Sequence, residues 1–67
     1  MKLNEKLKAV RESKGMSQEA LYYESGVRVA TISRLENEHH LPDLGTLKAL
    51  ATSFNMTVRE LLKDVDL

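Results

Sequence analysis

Cysteine is absent from this chain, and with it go disulfide frameworks, thiolate metal sites and cysteine nucleophiles. Apolar runs are never more than a few residues long, far short of the roughly 20 that a bilayer-spanning helix needs. The start, Met1-Lys2-Leu3-Asn4-Glu5-Lys6, lacks the apolar core of a secretory leader. A cytoplasmic protein without membrane contact is the expectation. Glycine-rich phosphate loops, a Ser/His pair at a nucleophile elbow and a buried carboxylate pair are also missing. No enzymatic activity, cofactor or small-molecule substrate is therefore expected. No segment alternates apolar and polar residues with the period of a strand, which leaves an all-α fold.

An excess of charge of either sign is lacking too, because ten Lys and Arg balance ten Asp and Glu. The balance is uneven along the chain. Residues 1–14 carry Lys2, Lys6, Lys8, Arg11 and Lys14 against Glu5 and Glu12, a net +3, whereas residues 15–26 carry only Glu19 and Glu24, a net −2. Residues 27–40 cancel, and the remainder sums to −1. A positive face would have to be built from the first helix with Arg28 and Arg34, so weak non-specific attraction to a polyanion is expected.

What the chain does have is helical periodicity, punctuated by caps. With 67 residues it is read as one domain, 1–67, too short for a second core. Leu3, Leu7 and Val10 repeat at helical spacing up to about Ser13, and Gly15 supplies a stop. Two short helices follow over about 18–25 and 28–36. A polar loop through Pro42 leads to Asp43, an N-cap for a helix whose apolar face is Leu44, Leu47, Leu50, Ala51 and Phe54. The last helix, about 58–63, opens on the capping box Thr57-Val58-Arg59-Glu60, with Met56 and Leu61 as its staple.

The centre of the pattern is Ser17 to Leu35. Ser17 is an N-cap for a helix opened by Gln18, and Met16 can close on Leu21 as a staple, as Val27 can on Ile32. Between the two helices Gly26 can take the positive φ that a tight corner demands. Two helices meeting at a steep angle allow one to brace across a nucleic-acid backbone while the other reaches into the major groove.

These residues resemble the Cro/repressor-type (XRE) helix-turn-helix DNA-binding domains of phage repressors and small bacterial regulators. The likeness is carried by Leu7-x-x-Val10-Arg11-x-x-Lys14-Gly15-Met16-Ser17-Gln18-x-x-Leu21, Ser25-Gly26-Val27, Thr31-Ile32-Ser33-Arg34-Leu35-Glu36-Asn37 and Pro42-x-x-x-Thr46-Leu47-x-x-Leu50-Ala51. It implies a five-helix, lambda-repressor-like fold whose second and third helices bind double-stranded DNA, no metal and no cofactor. It implies a phosphate contact, and a possible base contact, for Gln18 beside its cap Ser17. Base reading would fall to Arg28, Val29, Ala30, Thr31, Ser33 and Arg34, and phosphate contacts to Asn37, His39 and His40. Arg11 and Glu36 match a pair that in the family is a structural salt bridge.

Tyr22 departs from the family, which usually has a small buried alanine there, so either the two helices spread slightly or the ring escapes sideways. Tyr22 and Tyr23 are adjacent, so at most one faces the core, and for the other simple packing is expected ahead of contact with sugar-phosphate. Arg28 replaces a small capping residue, at a cost of roughly 1 kcal/mol to the third helix. His39 and His40 stand where lysine or arginine is common, so phosphate clamping should strengthen in mild acid. With Glu36 and Glu38 they do not make a convincing metal site. Val58, Leu62 and Val65 form an apolar stripe that is read as a homodimer seam, placing two recognition helices on a pseudo-palindromic operator. The function expected is a transcriptional regulator, a repressor; the alternative is a protein-interaction module of antitoxin or adapter type with secondary DNA binding.

Overall fold

A computed structural model describes residues 1–38 and 41–66. Five helices follow one another: α1 (Leu3–Ser13), α2 (Gln18–Ser25), α3 (Val29–Asn37), α4 (Leu44–Ser53) and α5 (Val58–Leu62). Among the described residues there is no strand, and no helix is long and apolar enough to cross a membrane.

The helix starts are chemical. Ser17 Oγ accepts from the Ala20 amide at 3.0 Å, and Asp43 Oδ1 accepts from Thr46 at 2.7 Å. At α5 the capping box closes both ways, Glu60 N–H to Thr57 Oγ1 at 3.0 Å and Thr57 N–H to Glu60 Oε1 at 2.9 Å. Each bond satisfies an amide that a helix start leaves without an internal partner. Lys2, before α1, also has its amide met by Glu5 Oε1 at 2.9 Å. Arg28 stands at the N-cap of α3, as expected of the residue that replaces a small capping residue, and supplies no side-chain bond. Asn37, expected beyond that helix, is its last residue, and α5 stops one residue short of the expected 63.

The ends use backbone geometry. Gly15 and Gly26 adopt φ of +69° and +77°. At Gly26 the amide donates to the Tyr22 carbonyl at 2.8 Å, which closes α2 in a left-handed cap and turns the chain into α3.

The core is a single cluster of Leu3, Leu7, Leu21, Ile32, Leu35, Leu47, Leu50, Ala51, Phe54 and Leu61. Every helix contributes to it. α1 packs on α3 and α5, α2 on α3 and α4, and α4 on α5, so α3 is wedged between α1 and α2 with its outer side uncovered. Leu61, at 0% exposure, anchors the short α5. Met16, Val27 and Met56, the outer halves of the three staples, pack on the edge of this cluster.

Candidate nucleic-acid interface

α3 divides into two sides. Ile32, Leu35 and Glu36 face inward and are buried. Ala30, Arg34 and Asn37 are exposed and Ser33 is half-buried; at spacings of three and four they form one stripe along the outer side of the helix. Arg28 is exposed at the start of this stripe, flanked by the half-buried Val29, and Thr31 is half-buried. Because Arg28 brings no capping acceptor, the first amides of α3 are left for solvent or a ligand, at the end of the helix that carries partial positive charge.

Beneath that stripe lies a buried polar network. Arg11 Nε donates to Glu36 Oε2 at 2.6 Å and Arg11 Nη2 to Glu36 Oε1 at 3.0 Å, a fork-to-fork pair. Arg11 Nη1 also donates to the Met16 carbonyl at 2.8 Å, just before α2 begins. The bond to Glu36 raises the guanidinium pKa above its ordinary value, against the opposing effect of burial. Asn4 Nδ2 reaches the Glu36 carbonyl at 3.4 Å. One arginine of α1 thus ties the last turn of α3 to the α1–α2 turn.

Gln18 joins the same network. Its Nε2 donates to Glu36 Oε1 at 3.2 Å. An amide nitrogen carries two hydrogens, so this bond aims the side chain while leaving its second N–H for an outside acceptor. Motif spacing does not reveal this link, because Gln18 and Glu36 are 18 residues apart and meet only when α2 crosses α3.

The remaining polar side chains of the stripe are loosely held. Arg34 Nε lies 3.4 Å from Glu38 Oε2 with both side chains mostly exposed, and such an i,i+4 pair is worth only about 0.3–0.5 kcal/mol. Asn37 Nδ2 folds back on the Ser33 carbonyl at 2.8 Å and on Ser33 Oγ at 3.3 Å. Both can exchange partners at little cost. His39 and His40 lie outside the described residues. Among the described residues no group of three His, Cys, Asp or Glu is arranged to hold a metal ion.

Positive potential is smaller than the charge count of α1 implies. Arg11 is neutralised by Glu36 inside the fold, and Lys6 Nζ donates to the Lys63 carbonyl at 2.8 Å. Lys2, Lys8, Lys14, Arg28 and Arg34 remain exposed.

The tyrosines take no part in the core. Tyr22 is 41% and Tyr23 83% exposed, so neither ring enters the core, and of the two outcomes expected for Tyr22 it is the sideways one that α2 shows. The Tyr22 ring, too large for the usual alanine site, leaves sideways and rests against Tyr23 at a centroid distance of 5.3 Å. In α5, Val58 and Leu62, with Val65 just after it, pack partly on the chain's own core.

A profile of the helix-turn-helix family matches residues 7–61. The chain is 33% identical over 66 residues to the HTH-type transcriptional regulator DdrOP3 of Deinococcus deserti, covering 98% of this chain and 51% of that protein. It is 34% identical over 67 residues to the HTH-type transcriptional activator BcrR of Enterococcus faecalis, covering 100% of this chain and 33% of that one. The chain thus spans about half and about a third of the lengths of these relatives. Among solved structures, the restriction-modification controller protein C.AhdI from Aeromonas hydrophila superposes with a TM-score of 0.82 at 30% identity, over 88% of this chain and 89% of that one. The apo form of ComR from S. thermophilus superposes with a TM-score of 0.84 at 28% identity, over 96% of this chain and 22% of that one. The profile runs from Leu7 to Leu61, both core residues, and encloses the Gly26 corner and the Arg11–Glu36 pair: the chain belongs to the XRE-type helix-turn-helix family.

Proposed function

We propose that this chain binds double-stranded DNA in a sequence-specific manner through α3 and regulates transcription, as a homodimer on a pseudo-palindromic operator. The observation that carries the reading is the uncovered outer stripe of α3, Arg28 to Asn37, on a helix held between α1 and α2 by buried contacts. A rigid helix with small and cationic side chains on its open side suits the major groove. Family membership and the regulator names of two relatives support the same assignment.

The chemistry divides by residue. Arg34 exchanges its weak surface pair with Glu38 for a bidentate contact to guanine, which discriminates by about 1–3 kcal/mol, more than the pair it gives up. Val29 and Ala30 offer apolar contact to a thymine methyl, and Ser33 and Thr31 offer hydroxyls. Gln18, aimed by Glu36, and the amides at the Ser17 cap meet a phosphate. Asn37, His39 and His40 supply further backbone contacts. Few phosphates are neutralised, so specificity rests on base contacts and on two copies binding together. The seam is the exposed remainder of Val58, Leu62 and Val65, and repression follows from occupying the operator.

The test is selection of bound sequences from a random duplex pool, followed by gel shift with the selected site. Arg34→Ala should weaken specific binding about 5- to 150-fold and relax one base position. Gln18→Ala should weaken it without changing the preferred sequence. If neither variant changes affinity, α3 is not the reading helix. Light scattering should give twice the chain mass, reduced in Leu62→Asp with circular dichroism confirming intact helices. Half-sites about one DNA turn apart are expected, and an unpaired half-site refutes the dimer.

A further inference from the structure

Helix α2 carries a surface that DNA reading does not use. Tyr22 and Tyr23 are the only tyrosines of the chain, and both project from α2 into solvent at 41% and 83% exposure. At 100° per residue, Tyr23 lies on the side of α2 opposite Leu21 and Ser25, which face the core. The two rings are tilted by 48° with centroids 5.3 Å apart, within the range aromatic pairs favour. Each ring restricts the other, so the pair presents ring faces in a defined orientation rather than as two wandering side chains.

The charges that α2 itself carries are all of one sign. Glu19 is one turn before both rings on the same side of the helix, and Glu24 follows Tyr23; both carboxylates are exposed. Between Gly15 and Val27 there is no lysine or arginine. Among the described residues, neither glutamate has a cationic partner within 4.0 Å. A phosphate backbone would be repelled here. A cation that is planar and weakly hydrated would be held twice, over a ring face and beside a carboxylate, and arginine meets both conditions better than lysine.

We propose that the outer side of α2, built on Tyr22, Tyr23 and Glu19, with Glu24 at its margin beside Tyr23, is a docking surface for an arginine-bearing basic segment of a partner protein. Guanidinium groups stack on the tyrosine rings while the two carboxylates balance their charge. The surface is distinct from the α3 stripe and can be occupied whether or not α3 is engaged.

The chain has no tryptophan, so its tyrosine emission reports this surface alone. The probe is a Gly/Ser peptide with spaced arginines, titrated without DNA, with tyrosine fluorescence and amide NMR shifts as readouts. Saturable binding that moves the amides of residues 19–24 is expected, weaker with the lysine peptide of equal charge. Tyr23→Ala, which removes an exposed ring in favour of the best helix former, should weaken the arginine peptide about three- to fivefold. Glu19→Gln with Glu24→Gln should weaken it about two- to fivefold. Absence of saturation at millimolar peptide, unchanged affinity in Tyr23→Ala with an unaltered melting temperature, or shifts that map away from α2 would each overturn the proposal. So would a random-sequence duplex that moves the tyrosine signal in place of the peptide, since the surface would then be a nucleic-acid contact.

Discussion

Glu36→Ala should destabilise this fold strongly by stranding a buried charge, and the structure sets the size. Glu36 is 6% and Arg11 9% exposed, and the carboxylate accepts from Arg11 at 2.6 and 3.0 Å and from Gln18 at 3.2 Å. Removing it leaves a buried guanidinium with only the Met16 carbonyl, at 2.8 Å. Breaking a buried pair from one side costs about 3–5 kcal/mol. The long arginine stem can carry its head toward water, so the lower end, about 3 kcal/mol, is expected. A chain of this length has roughly 3–10 kcal/mol in total. The variant should therefore melt at least about 12 °C lower, with urea unfolding followed by far-UV circular dichroism giving an unchanged slope and a lower midpoint. Arg11→Met with Glu36→Leu removes both charges together and should return to within about 1–2 kcal/mol of the parent. DNA affinity should stay low in that double variant, because Gln18 has lost the acceptor that aims it. A loss below about 1 kcal/mol in Glu36→Ala, or a double variant as unstable as the single one, would refute the argument from an uncompensated charge.

Gly26→Ala should cost about 1–2 kcal/mol from the left-handed backbone alone, because a Cβ there meets no atom within 4 Å; a much larger loss in the thermal midpoint would mean that packing, not φ, sets the corner. Leu61→Ala, at a fully buried site, should cost about 2–5 kcal/mol in urea unfolding, whereas Leu41→Ala, at 67% exposure, should stay within about 0.5 kcal/mol. Asp43 and Glu60 have their pKa values held below the ordinary carboxylate range by the amides of Thr46 and Thr57. Their contribution is present above the ordinary carboxylate pKa and is lost as pH falls through the lowered folded values, so the melting temperature of Asp43→Asn with Glu60→Gln should decline less steeply in acid than that of the parent. Parallel acid limbs would remove both caps from the account.

Local signals were legible because their partners are close in the chain. Ser17, Asp43 and Thr57 each cap an amide three residues on, and Gly15 and Gly26 bend where a side chain would be strained. α3 runs one residue further than its expected end, through Asn37, while Arg28 takes the uncapped half-in position expected of it. The tyrosines were harder. Adjacency forbids both from facing the core, but only the packing of α2 shows that neither does. Part of the Val58, Leu62 and Val65 stripe proved to rest on the chain's own core, since α5 is too short to separate an inner side from an outer one by period alone.

The sequence by itself determined the number and order of helices, their caps and the glycine corner, since each depends on bonds spanning three or four residues or on the backbone freedom of one residue. It also supplied a pairing of Arg11 with Glu36 through resemblance. Tertiary structure decided what surrounds that pair: Glu36 also holds Gln18, Arg11 also holds the turn before α2, and one of the charges that α1 would have offered to a polyanion, that of Arg11, is spent inside the fold. It decided as well that α2 shows its tyrosines to solvent. Those outcomes depend on where α1, α2 and α3 cross, and a crossing is set by the shapes of side chains far apart in the chain, which periodicity does not encode.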